Sequence, residues 1–170
     1  MPSVGTTALV MVLPAAEPAL AVARRVDPGL VRPGLHAHVT ALYPFLPDAS
    51  LTGSVRAEVR SLAAAVSPPD VKLADLVVAP GFVALAAPDL QPVADAVCAR
   101  WPSVLPYGGR FGPRPAAHLT VAMGGSDETL AQVAAGVRPL LPLTDRAEGL
   151  QLVALTERGW ELRLEAPFGG

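Results

Sequence analysis

Two tetrapeptides carry the same pattern of reactive side chains: Ala37-His38-Val39-Thr40 and Ala117-His118-Leu119-Thr120. Only three histidines occur in the 170 residues, and two of them stand in these words. Residues i and i+2 of an extended strand point to the same face, so each word sets an imidazole beside a hydroxyl. An imidazole titrating near neutrality can take up or deliver a proton. A hydroxyl can donate a hydrogen bond to an oxygen on which charge develops. Taken singly, each His reads more readily as a structural residue and each Thr as a strand former. It is their recurrence at matching places that points to chemistry.

The elements around the words repeat as well. Thr6 to Leu13 reads as a buried strand, and Glu17 to Val26 as a helix stopped by Asp27-Pro28-Gly29. The first word then lies on a strand within Gly34 to Phe45. A helix capped by Thr52 or Ser54 runs to about Val66 and ends at Ser67-Pro68-Pro69. Lys72 to Ala79 and Phe82 to Ala87 read as a hairpin turned at Pro80-Gly81. The second half runs in the same order. A helix from Leu90 to Trp101 leads through a Pro/Gly/Arg-rich loop to the strand of His118 and Thr120. A helix capped by Ser126 or Asp127 extends to about Val137, and a hairpin joins Gly149 to Thr156 with Trp160 to Ala166. The simplest account is an internal duplication with an approximate twofold axis, which brings two separate strands to opposite sides of one ligand.

That arrangement suits cleavage of a phosphodiester. The nucleophile must lose a proton while the leaving oxygen gains one, so one neutral and one protonated imidazole fill both roles without metal or cofactor. Thr40 and Thr120 would donate to the non-bridging oxygens; losing one such donor typically costs on the order of 3 kcal/mol in the activation barrier. Which His is acid and which is base is left open by the sequence.

Composition narrows the class. Half the chain is hydrophobic (51%) and only 5% aromatic, so the core is expected to be aliphatic. With a net charge of -2 and Lys72 as its sole lysine, the chain lacks the basic stripe needed to wrap long nucleic acid. DNA is therefore not an expected partner. Small anions remain open, because arginine suits bidentate contact with phosphate. The single cysteine, Cys98, rules out an intramolecular disulfide and a Cys-rich zinc site, and reads as a buried thiol rather than a nucleophile. The apolar stretch from Ala8 to Ala23 lacks a basic leader and is interrupted by Pro14, Glu17 and Pro18. A soluble, cytoplasmic, monomeric protein without membrane association is the expectation.

The words His38-Val39-Thr40-Ala41-Leu42-Tyr43-Pro44-Phe45 and His118-Leu119-Thr120-Val121-Ala122 resemble the duplicated signature of the two-histidine (2H) phosphoesterase superfamily. That superfamily includes the bacterial 2'-5' RNA ligase and cyclic phosphodiesterase enzymes. The resemblance implies an α+β fold, bilobal and internally duplicated, with two antiparallel sheets lining a central groove and helices outside. The lobes would span about 1–88 and 89–170 of a single domain. It implies a metal-independent enzyme with no cofactor, acting on 2',3'-cyclic phosphates or 2'-5' linkages at RNA ends or in small nucleotides, with His38, Thr40, His118 and Thr120 as the catalytic set. A module that binds a nucleotide or RNA terminus without turnover is the alternative.

Further residues are candidates for substrate contact. Tyr43 stands where similar chains carry an aromatic that meets the substrate, yet regular alternation would turn it away from His38. Contact and packing are both open for it. In the loop before the second word, Arg110, Phe111 and Arg114, with Tyr107, combine stacking surface and cationic donors. An ordinary solvated loop is the competing reading. His36 shares the face of His38 and either lines the groove or sits at an exposed edge.

Overall fold

The computed structural model describes residues 2–169. Its elements are β1 (Thr7–Val12), α1 (Glu17–Val26), β2 (His38–Leu42), α2 (Gly53–Ala64), β3 (Asp70–Leu73), β4 (Leu76–Ala79), β5 (Phe82–Ala86), α3 (Gln91–Arg100), β6 (His118–Met123), α4 (Asp127–Val137), β7 (Leu143–Arg146), β8 (Gly149–Thr156) and β9 (Gly159–Pro167). This is an α+β fold with two antiparallel sheets. One has seven strands in the order β4-β5-β6-β2-β1-β8-β9, and the other pairs β3 with β7.

The expected strand from Lys72 to Ala79 is in fact two, and this is a correction. Val71 and Leu73 are buried while Lys72 is exposed, and this segment pairs with β7, an element the sequence reading did not include. After the break at Ala74-Asp75 the chain enters the large sheet as its edge strand β4. The strand around the first word is also shorter than expected. Gly34 lies in the left-handed region (φ 85°), and the segment before Ala37 is irregular. Thr52, not Ser54, caps α2 by accepting from Val55 N, and Ser126 caps α4 by accepting from Thr129 N.

The helices cover one face of the large sheet. Leu20 and Ala23 of α1, Val59 and Ala63 of α2, Val93 and Val97 of α3, and Leu130, Val133 and Val137 of α4 join one core with Leu9, Met11, Val39, Leu119 and Val121 from the strands. The opposite face is the groove floor. A smaller apolar cluster there comprises Ala8, Val10, Val153 and Trp160, with Val12, Leu35, Tyr43 and Leu155 against it.

Two joints repeat almost atom for atom. After β1 the chain turns through Pro14–Ala16 into α1; after β5 it turns through Pro88–Leu90 into α3. Leu13 N donates to Ala37 O (2.8 Å), and Ala87 N donates to Ala117 O (2.9 Å). The element order read as a duplication thus has a backbone counterpart at these two joints. The two halves interleave, however. β5 pairs with β6, and β1 pairs with both β2 and β8, so β6 lies between two pairs of strands from before residue 88 and β8-β9 complete the sheet beyond β1.

Leu119 is fully buried at the centre of this sheet and pairs with Val39. Leu119→Ala should destabilise the protein by about 2–5 kcal/mol, read from urea unfolding, because the flanking strands cannot collapse into the space vacated.

Candidate functional site

β2 and β6 meet antiparallel at one pair, Val39 and Leu119. Both are completely buried in the core, which turns their neighbours to the groove. The register about that pair sets His38 toward Thr120 and Thr40 toward His118. All four therefore share one floor.

The flanking strands leave this floor without competing polar groups. Val12 and Val10 lie beside His38 and Thr40, and Ala86 and Ala84 lie beside His118 and Thr120. In both strands one extra residue then follows the Thr. Register with β1 jumps from Thr40 to Leu42, leaving Ala41 as a bulge; register with β5 jumps from Thr120 to Ala122, leaving Val121. Both bulge residues and their successors are buried, so the alternation restarts one residue late. This is why Tyr43, which simple alternation would turn away, joins the groove face.

The imidazoles are held alike. His38 Nδ1 lies 2.7 Å from His36 O, and His118 Nδ1 lies 2.8 Å from Ala116 O. A carbonyl only accepts, so each Nδ1 must carry the proton and donate it. In the neutral ring Nε2 is then the free base, and in the protonated ring it is the acid. The preceding residue is clamped as well. Glu17 Oε1 accepts from Ala37 N (2.6 Å), and Gln91 Oε1 accepts from Ala117 N (2.7 Å). Each acceptor is the first residue of its helix, so α1 and α3 set the position of the strand end carrying each His.

The environments of the two rings differ. Burial pushes the His38 imidazole below its ordinary value, against the opposing pull of the His36 carbonyl; the charges of Arg32 and His118 lower it further, and Glu17 opposes them. Glu17 is a carboxylate where Gln91 is a neutral amide, and Gln91 also donates to Asp95 and to Pro115 O. His36 is exposed, with Nδ1 3.7 Å from Glu17, and does not line the groove.

An aromatic row flanks the floor. Tyr43 lies 5.9 Å from Tyr107 and 6.3 Å from Trp160 between ring centroids, and Tyr107 lies 5.5 Å from Phe111, edge on. Arg110 covers the Phe111 ring at 5.2 Å. Tyr107 is held in a left-handed conformation (φ 52°), with its N donating to Tyr43 O at 2.6 Å. Burial raises its phenol above the ordinary value, and the neighbouring Thr40 opposes that shift. Phe82 closes the other wall, 6.3 Å from the His118 ring.

The structure thus gathers His38, Thr40, His118, Thr120 and Tyr43, with Phe111 and Arg110 at the outer end of the row. Arg114 lines a small cavity with Thr40 and Tyr107, closed on its other side by Asp95 and Cys98. Cys98 is partly buried against Ala41 O (3.7 Å). Sequence reasoning missed the clamps made by Glu17 and Gln91 and the charge of Arg32 near His38. A signal existed for the first two, since Pro14-Ala15-Ala16-Glu17-Pro18 and Pro88-Asp89-Leu90-Gln91-Pro92 repeat a pattern. Among the described residues no three His, Cys, Asp or Glu side chains gather as a metal site requires, and no helix is long and apolar enough to cross a membrane.

Comparison with known proteins gives a family and a fold. The family model for the 2'-5' RNA ligase superfamily matches residues 12–159. A solved structure described as a phosphoesterase superposes with a TM-score of 0.59 at 13% identity, covering 99% of this chain and 100% of its own. The structure of Kluyveromyces marxianus Usb1 superposes with a TM-score of 0.54 at 18% identity, covering 98% and 99%. No curated protein sequence matches the chain.

The two clamps can be tested directly. Glu17→Ala and Gln91→Ala each leave a buried backbone N–H without its partner, so each should cost about 1–3 kcal/mol in denaturant unfolding. Glu17→Gln keeps an accepting oxygen and should cost less than Glu17→Ala.

Proposed function

The chain belongs to the 2'-5' RNA ligase superfamily, and on that premise we propose that it is a metal-independent phosphodiesterase acting on 2',3'-cyclic phosphates or 2'-5' linkages, at RNA ends or in small nucleotides. The observation that carries this reading is the matched pair of imidazoles. Each has Nδ1 tied to a carbonyl and a Thr two residues on, and all four side chains share one floor.

Opening of a cyclic phosphate then runs as follows. His38, kept neutral by its burial, takes a proton from the attacking water through Nε2. The water oxygen bonds to phosphorus as the bond from phosphorus to one ribose oxygen breaks. His118, protonated, delivers its proton to that departing oxygen. Thr40 and Thr120 donate to the non-bridging oxygens as their charge grows. Exchange of protons with solvent returns both rings to their starting states. A nucleobase stacks on the row of Tyr43, Tyr107 and Phe111, a contact worth about 1–3 kcal/mol per base. Arg110, already against Phe111, adds a cation near the outer end.

Turnover of 2',3'-cyclic nucleotides and 2'-5'-linked dinucleotides, followed by chromatography with chelator present, tests the reading. His38→Ala and His118→Ala should each lower the rate by about 10²–10⁴-fold, and Thr40→Ala or Thr120→Ala by on the order of 10²-fold. Full activity in either His variant would sink the assignment. Tight binding of ligand recovered unchanged after long incubation would favour the non-catalytic binding module.

The pH profile supplies a second test. The folded-state shift of His38 is downward, so its basic form persists to lower pH than that of an ordinary imidazole. The acid limb of kcat/KM should therefore fall below pH 6.5, the ordinary value for histidine. The Glu17 carboxylate favours the imidazolium, so Glu17→Gln should move that limb further down.

A further inference from the structure

The four side chains at the centre of the groove are two imidazoles and two hydroxyls, none of them permanently charged. A phosphodiester carries one negative charge throughout the displacement, and its distribution shifts toward the oxygens of the transition state. A fixed cation beside the floor is therefore worth seeking. Arg32 meets that need.

Its Nη2 lies 3.2 Å from Met123 Sδ, across the groove at the far end of β6. Sulfur is a weak, neutral acceptor, so this contact leaves the guanidinium charge unanswered. Among the described residues Arg32 enters no ion pair, whereas Arg24, Arg100, Arg146, Arg158 and Arg163 all do. Its charge is felt at both His38 and Tyr107, on two sides of the floor. Of the other candidate cations, Arg110 lies over Phe111 and Arg114 shares a cavity with Thr40 and Tyr107, so Arg32 is the one placed at the Met123 end of the groove.

The segment bearing Arg32 is also fixed. Gly34 packs so closely on the start of β9 that a Cβ there would sit 2.8 Å from Trp160 O and 3.0 Å from Trp160 N. The Arg32 side chain is thus exposed, while the backbone two residues beyond it is held against β9.

We propose that Arg32 binds the non-bridging oxygens of the phosphate seated between His38 and His118, exchanging its sulfur contact for a forked pair of N–H···O bonds. The inference rests on the phosphodiesterase reading of the groove and adds to it a phosphate-binding residue. The same positive charge disfavours the imidazolium at His38, which keeps the base neutral.

The test uses the full chain with Arg32→Met and Arg32→Lys, and inorganic phosphate as the probe. Binding is followed through the histidine ring proton signals, few enough to assign, and through inhibition of cyclic-nucleotide turnover. Arg32→Met should weaken phosphate binding by about tenfold or more and flatten its dependence on ionic strength. It should lower kcat/KM comparably. Arg32→Lys keeps the charge but not the fork, so it should recover part of the loss. The thermal midpoint should not move, because the side chain is exposed.

Wild-type phosphate affinity and salt dependence in Arg32→Met would overturn the proposal even if the enzyme turns over cyclic nucleotides normally. Arg32-dependent phosphate binding without turnover of any phosphodiester would uphold this site and sink the catalytic reading instead. Absence of any phosphate response at His38 and His118 in the wild type would overturn both.

Discussion

Val39 and Leu119 are the one residue pair at which β2 and β6 are in register, and the geometry of the groove follows from burying both. Side chains alternate along a strand, so driving these two into the core forces their four neighbours outward. The antiparallel direction then sets each His toward the Thr of the other strand. Had either strand slipped by one residue, its His and Thr would have entered the aliphatic core. The hydrophobic effect thus positions the polar side chains, by occupying the places they must not take.

Upon this near-symmetric frame the chain builds two unlike sides. The first helix residue is a carboxylate beside one His and an amide beside the other, with the same backbone N–H bond made by each. The residue that returns to the groove after the bulge is Tyr43 in one strand and Met123 in the other. One side therefore offers a stacking surface, and the other a soft contact on which a guanidinium rests. Such a difference biases which imidazole holds a proton, since two identical coupled imidazoles would share one with no preference between them.

Much of this was legible in the sequence, and the limits have physical causes. The His-x-Thr words, the four helices and the β8–β9 hairpin follow from periodicity and capping, which are local. The face of Tyr43 was not, because a bulge leaves no mark in composition; Ala41 and Val121 are ordinary strand residues. β7 escaped because Leu143–Arg146 alternates too briefly to stand out, and its partner β3 lies some seventy residues earlier. The Pro-x-x-Glu-Pro and Pro-x-x-Gln-Pro repeat was visible, but its meaning depends on a hydrogen bond to a distant strand. Arg32 gave no signal at all, since what distinguishes it is its contact with Met123 Sδ, ninety-one residues away, and its charge near His38.

The interleaving of the strands bears on how the molecule comes to exist. β1 reaches its second neighbour, β8, only after nearly the whole chain is available, so the sheet is rich in contacts of long sequence separation. An amino-terminal half emerging from the ribosome holds β1 and β2, and with them the first imidazole, but neither β6 nor β8. The groove therefore cannot mature piecemeal, and an unfinished chain exposes open strand edges where the finished one has a closed floor. A duplicated architecture that looks divisible on paper is one cooperative object in assembly, and its two reactive halves come into being together.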